Sequence, residues 1–191
     1  MPRLLAAAIQ LTASSDKSRN LDVAQRLVEE AAARGASLVA LPELFNCLGE
    51  PEDIVAEAEE IPGPTSVRMS ELAARLEVTL LAGSLAESRP GHQRVSNTSL
   101  LFGPDGRQLA CYRKLHLFDI DLPGHVTFQE SAFVEPGREI VVTSTPAGRL
   151  GQATCYDLRF PELFRRLVEE GATTILVPSA FTRATGRDHW E

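Results

Sequence analysis

The chain has 191 residues, 43% of them apolar and 24% charged, with a formal net charge of −7 at pH 7. This excludes the composition of disordered chains and supports a single globular domain over residues 1–191. The acidic balance and the lack of a polybasic stretch exclude the usual footprint of a nucleic-acid or membrane-surface binder, leaving a small molecule as the expected partner.

No apolar run approaches the roughly 20 residues that a membrane helix needs. Arg3 followed by Leu4 to Leu11 imitates the start of a secretory signal, but the run is short and holds Gln10. It reads as a first buried strand leading into a polar loop. Leu21, Ala24, Leu27, Val28 and Ala31 then recur at helical spacing, after caps at Ser18 or Asn20 and before Gly35. Ser37 to Leu41 is a short apolar run stopped by Pro42, so Glu43 falls just past the C-terminal end of a second strand.

Beyond the Pro- and Gly-punctuated stretch 61–64, a helix over Ser66 to Leu76 and a strand over Val78 to Ala82 continue the βα alternation. Ser96 to Phe102 and Arg107 to Tyr112 flank Gly103-Pro104-Asp105-Gly106 and read as a hairpin, with Lys114 emerging from its second strand. A loop rich in Asp, Pro and Gly is expected from His116 to Gly137. Two strands, Ile140 to Thr143 and Arg149 to Thr154, follow, and Cys155 ends the second. Pro161 and Glu162 suit a helix start and Gly171 its end; Thr173 to Val177 closes another strand-helix-strand unit.

Cys47, Cys111 and Cys155 are an odd number at spacings that fit neither a disulfide framework nor paired zinc ligands, which points to a reducing, cytoplasmic setting. Glu43, Lys114 and Cys155 each follow an apolar strand, and a layered fold gathers such strand ends at one edge. A thiol attacks a carbonyl as thiolate, so a catalytic cysteine needs a base and a positive neighbour. Glu43 and Lys114 supply those types. Taken singly, each is ordinary: a small buried hydrophobe, a surface carboxylate, a solvated cation. Of 19 basic residues, however, only Lys17 and Lys114 are lysine. A compact ammonium meets an oxyanion where a planar guanidinium does not fit.

The segments Leu41-Pro42-Glu43, Tyr112 to Asp119 (YRKLHLFD), Phe128-Gln129-Glu130-Ser131, Cys155 to Glu162 (CYDLRFPE) and His189-Trp190-Glu191 resemble the nitrilase superfamily of carbon-nitrogen hydrolases. The branch is that of ω-amidases and deaminated-glutathione amidases, and the segments occur in family order across essentially the whole chain. The resemblance implies an α/β fold of four layers, an αββα sandwich. It implies Glu43 as general base, Lys114 as stabiliser of the tetrahedral intermediate, Cys155 as nucleophile, and Glu130 as a second glutamate holding lysine and substrate. A backbone N–H near Tyr156 would join Lys114 at the oxyanion, and no metal or organic cofactor is implied.

The branch's substrates carry a carboxylate remote from the amide, which makes Arg159 the expected cation of the pocket. Phe181 and Thr185 are expected in its wall, and His116 in an orienting or substrate-contact role rather than as the base. Linear carboxamides such as 2-oxoglutaramate are the expected substrates, with deaminated glutathione as the alternative. Members of the family are longer, so the resemblance also implies that the C-terminal part of the fold is lacking after Glu191. A homodimer is expected if the full-length fold is present. An inactive fragment with only an association role is the reading of another class. Isochorismatase-like hydrolases also use Asp, Lys and Cys, but expect an aspartate after the first strand, where this chain has Gln10-Leu11-Thr12.

Overall fold

The computed structural model describes residues 4–122, 126–181 and 186. In chain order the elements are β1 (Ala6–Ala8), α1 (Lys17–Ala33), β2 (Leu38–Ala40), α2 (Pro51–Ala56), α3 (Pro64–Leu76), β3 (Thr79–Leu81), β4 (Leu85–Glu87), β5 (Ser96–Phe102), β6 (Gln108–Arg113), β7 (Asp119–Leu122), β8 (Val126–Gln129), β9 (Val142–Thr145), β10 (Gly148–Gln152), α4 (Pro161–Glu169) and β11 (Thr174–Leu176). Strands β1, β2 and β3 pair in parallel. β3 and β4 then take successive parts of one edge of β5, and β6 pairs antiparallel with β5. A second sheet runs β11-β10-β9, and β7 and β8 form a separate hairpin. Among the described residues, no helix is long and apolar enough to cross a membrane.

The period-2 alternation of strand side chains builds the layers. Val39, Leu41, Leu80, Ala82, Leu100 and Phe102 face one way, onto Leu21, Ala24 and Val28 of α1 and Met69, Leu72 and Ala73 of α3. Their neighbours Leu38, Leu81 and Leu101 face the other way, against Leu150, Val141 and Leu176 of the second sheet. That sheet's outer face, with Val142, Ala153, Ile175 and Val177, is covered by Leu163 and Leu167 of α4. The order is helices, sheet, sheet, helix, the expected αββα sandwich.

Several local expectations differ. The cap of α1 is Asp16, whose side chain accepts from the Arg19 N–H, while Asn20 lies buried and donates to the Ser14 and Asn46 carbonyls. The first strand is an exposed sheet edge rather than a buried one, with Leu4 and Leu5 about half exposed. The loop expected over His116 to Gly137 contains the β7–β8 hairpin, in which Asp119, Ile120 and Asp121 pair with Gln129, Phe128 and Thr127. Helix α2 and strand β4 were not expected: at six and three residues, each is too short to show a period.

Gly83, between β3 and β4, holds the loop that carries Glu43. The Pro42 carbonyl accepts from the Ser84 N–H at 3.3 Å, and Ser84 Oγ accepts from the Leu44 N–H at 3.0 Å. Gly83 has a φ of +39°, and a β-carbon there would lie 1.9 Å from the Pro42 carbonyl oxygen. Backbone cannot yield that far, so Gly83→Ala is expected to cost about 1–3 kcal/mol, as overpacking does. Chemical denaturation measures the cost.

Candidate active site

Three strand ends deliver the reactive side chains. Leu41 continues the pairing of β2, its N–H donating to the Leu81 carbonyl at 3.0 Å. Pro42 then ends the strand, and Leu44 turns the chain at a φ of 48°, aiming Glu43 inward. Lys114 prolongs β6, its N–H donating to the Asn97 carbonyl at 2.9 Å. Cys155 follows β10 at a φ of 47°, where a non-glycine residue is strained and must be held by its surroundings. Its N–H donates to the Pro178 carbonyl at 3.0 Å. Glu130 comes from a short 3-10 turn after β8.

The four side chains meet in the interior, with 5%, 2%, 5% and 8% exposure at Glu43, Lys114, Glu130 and Cys155 respectively. Lys114 Nζ lies 3.0 Å from Glu43 Oε1 and 3.1 and 2.9 Å from the two oxygens of Glu130. Glu43 Oε2 accepts from the Ala180 N–H at 2.9 Å, and Glu130 Oε2 from the Phe118 N–H at 2.6 Å. Buried charges persist only when paired and hydrogen-bonded, and here every carboxylate oxygen has a donor. Burial pulls the Lys114 pKa down, but the charges of Glu43 and Glu130 outweigh it and hold the ammonium well above the usual lysine range. Burial, the Glu43 charge and a hydrogen bond to that carboxylate push the Cys155 thiol up, against a smaller opposing pull from Lys114.

Glu43, Lys114, Glu130 and Cys155 line a cavity of about 450 Å³, and Tyr156, Arg159 and Phe181 line it too. Arg159 lies on its exposed side. The rings of Tyr156, Phe118, Phe128 and Phe133 form a continuous aromatic series at centroid spacings of 5.1–6.1 Å, and all four line the cavity. Thr185 lies outside the described residues.

His116 is not brought to the cavity. Its ring stacks on Phe160 at 3.7 Å, and its Nδ1 lies 2.7 Å from Asp157 Oδ1. Its backbone N–H and its ring both engage Asp157, so it is held at that carboxylate rather than in the cavity wall. Asp157 itself, wholly buried, had no role assigned from the sequence. It also accepts from the Tyr112 hydroxyl at 2.6 Å and from the N–H groups of His116 at 2.9 Å and Thr154 at 2.8 Å. The pair Thr154-x-x-Asp157 has capping-box spacing, which was the readable signal. Asn97 was missed as well: its Nδ2 donates to Glu43 Oε1 at 2.9 Å and to Glu130 Oε1 at 3.3 Å. Its only trace in sequence is an Asn inside a strand, where that residue is uncommon.

The family of carbon-nitrogen hydrolases matches residues 5–191. The chain is 44% identical over 185 residues to the human omega-amidase NIT2, covering 97% of this chain and 66% of that one. It is 41% identical over 194 residues to a deaminated glutathione amidase of Synechocystis, covering all of this chain and 71% of the other. Among solved structures it is similar to Saccharomyces cerevisiae Nit3, a member of branch 10 of the nitrilase superfamily, with a TM-score of 0.84 and 33% identity. That match covers 95% of this chain and 66% of Nit3. The chain thus spans about two thirds of the length of these relatives.

Two outcomes follow from the geometry. Replacing Asp157 by Asn removes the charge on which Tyr112, His116 and Thr154 converge, and is expected to lower stability by about 2–3 kcal/mol, since hydrogen bonds to ionised groups are the strong ones; urea unfolding measures this. The raised Cys155 value means that the neutral thiol favours the folded state, a contribution present below the ordinary thiol pKa of about 8.5 and lost as pH rises above it. The stability of the wild type relative to Cys155→Ala is therefore expected to fall through the alkaline range, as paired denaturation curves will read.

Proposed function

Because the chain belongs to the carbon-nitrogen hydrolase family, we propose that it hydrolyses a linear carboxamide of a small carboxylic acid to the acid and ammonia, through a thioester on Cys155. The observation that carries this reading is the burial of Glu43, Lys114, Glu130 and Cys155 together at one cavity. A thiol with a raised pKa is a poor nucleophile until its proton leaves, and the Glu43 carboxylate hydrogen-bonded to it is the acceptor in place. As sulfur attacks the amide carbon, the proton passes to Glu43. The Lys114 ammonium, kept charged by the two glutamates, meets the oxyanion together with the Tyr156 N–H. The tetrahedral intermediate collapses as Glu43 returns the proton to the leaving nitrogen, ammonia departs, and a thioester remains. Water activated by Glu43 then attacks the thioester, releasing the acid and restoring the thiol.

Arg159, on the exposed side of the cavity, would hold the remote carboxylate of an ω-amide such as 2-oxoglutaramate, with Phe181 in the adjoining wall. The curated relatives support this substrate class: one is named an omega-amidase and one a deaminated glutathione amidase. A specific observation favours the second reading: about 450 Å³ with an aromatic wall leaves room beyond a small oxo acid for the larger body of deaminated glutathione. The described cysteines are all free, which supports a reducing compartment, and we assign the protein to the cytoplasm.

Ammonia release from 2-oxoglutaramate and from deaminated glutathione tests the proposal and ranks the two substrates. Cys155→Ala is expected to lose at least about a thousandfold in kcat, as loss of a nucleophile does. Arg159→Gln is expected to raise KM roughly tenfold or more for the carboxylate-bearing amide, the worth of a charge-assisted contact, while leaving an uncharged amide unaffected. Turnover that survives Cys155→Ala refutes the thioester route.

A further inference from the structure

We infer that Asn97 is a positioning residue of this site, the donor that keeps Glu43 and Glu130 satisfied when Lys114 turns to the reacting oxygen. The inference rests on the amidase reading above.

An ammonium has three protons, and in the resting site Lys114 Nζ faces three carboxylate oxygens: Glu43 Oε1 at 3.0 Å, Glu130 Oε1 at 3.1 Å and Glu130 Oε2 at 2.9 Å. With one proton directed at each, none is left over for an oxyanion. To stabilise one, Lys114 must loosen a bond to a glutamate, and a buried carboxylate oxygen left without a donor is costly. Asn97 Nδ2 already points at two of those oxygens, Glu43 Oε1 at 2.9 Å and Glu130 Oε1 at 3.3 Å. The third, Glu130 Oε2, has a backbone donor of its own in the Phe118 N–H, as Glu43 Oε2 has in that of Ala180. Among the described residues, Asn97 is thus the one side chain besides Lys114 that is bonded to the Oε1 atoms of both glutamates.

The backbone sets this arrangement. β5 and β6 pair Thr98 with Arg113, and the next step of the ladder joins the Lys114 N–H to the Asn97 carbonyl at 2.9 Å. The two donors leave adjacent strands side by side and reach the same pair of oxygens. The orientation of the amide is fixed by its neighbours, since reversing it would set Oδ1 against two carboxylates. In the orientation adopted, Oδ1 is buried and finds no protein donor among the described residues. The site tolerates that orphan to keep the NH₂ group on the glutamates.

The test compares wild type with Asn97→Leu, of similar shape but without donors, and Asn97→Ser, whose single hydroxyl cannot donate to both carboxylates. Thermal denaturation reports folding. The rate of Cys155 alkylation by iodoacetamide against pH reports on the Glu43–Cys155 pair without any substrate assignment, and kcat and KM for 2-oxoglutaramate report turnover. Asn97→Leu is expected to leave KM within about twofold and to lower kcat roughly ten- to hundredfold, as loss of an orienting partner does. The acid limbs of the alkylation and kcat profiles are expected to move to higher pH by about one unit, since a carboxylate beside a like charge and short of a donor holds its proton more tightly.

A folded Asn97→Leu variant with an unmoved alkylation profile overturns the inference, whatever its stability. If that variant does not fold, Asn97→Ser is read by the same criterion. A shifted alkylation profile in a protein that releases no ammonia from any amide sustains the role of Asn97 at Glu43 and Cys155 and refutes the amidase reading instead.

Discussion

The buried ion cluster of Lys114 between Glu43 and Glu130 is the constraint around which the rest is arranged. Three charges out of water are unfavourable unless each is met by an opposite charge or a hydrogen bond, and here the two carboxylates together take donors from one ammonium, one amide side chain and two backbone N–H groups. The carboxylates and their donors belong to segments far apart in the chain: the loop after β2, strand β5, the end of β6, the residue before β7, the turn after β8 and the segment after β11. Displacing Lys114 leaves two buried carboxylates without their counter-charge, and displacing any other donor removes a hydrogen bond from one of them. The cluster therefore ties the two sheets and the β7–β8 hairpin to one geometry, and that geometry places the Cys155 thiol against Glu43.

A second buried carboxylate does for the nucleophile what the cluster does for the base. Asp157 links Tyr112 of β6 and His116 beyond it to the Thr154 N–H at the cysteine turn. It thereby joins the first sheet to the left-handed residue that carries the sulfur. The Tyr112 hydroxyl, pushed far up by burial and by the neighbouring Asp157 charge, stays a donor at any physiological pH. Phe160 closes the arrangement by stacking on His116. Lysine and cysteine are held in relation to each other by side chains that do not line the cavity, which explains why His116 sits so near Lys114 in sequence and yet faces away from the substrate space.

Much of the frame was legible because it rests on local rules. Apolar runs stopped by Pro42, by the Gly103 to Gly106 turn and by the cysteine block marked the strand ends. The alternation in Leu38 to Leu41 and Leu80 to Ala82 already encoded two faces, one for helices and one for the second sheet. The short elements were not legible: β4 and the β7–β8 hairpin exist because a neighbouring strand pairs with them, not because three or four residues carry a propensity. Pro123 and Gly124 made that hairpin read as loop.

The sequence alone thus determined which residues are chemically equipped, namely a cysteine, a glutamate and the rare lysine at strand ends, together with the motif blocks whose family resemblance adds Glu130. It could do so because strand ends and motif blocks are local patterns. Only the tertiary structure decided which polar side chains support them. Asn97 in a strand and Asp157 in a turn look like ordinary polar residues until partners some 30 to 60 positions away arrive beside them. A buried hydrogen bond takes its meaning from both ends, and the second end is set by how the sheets pack.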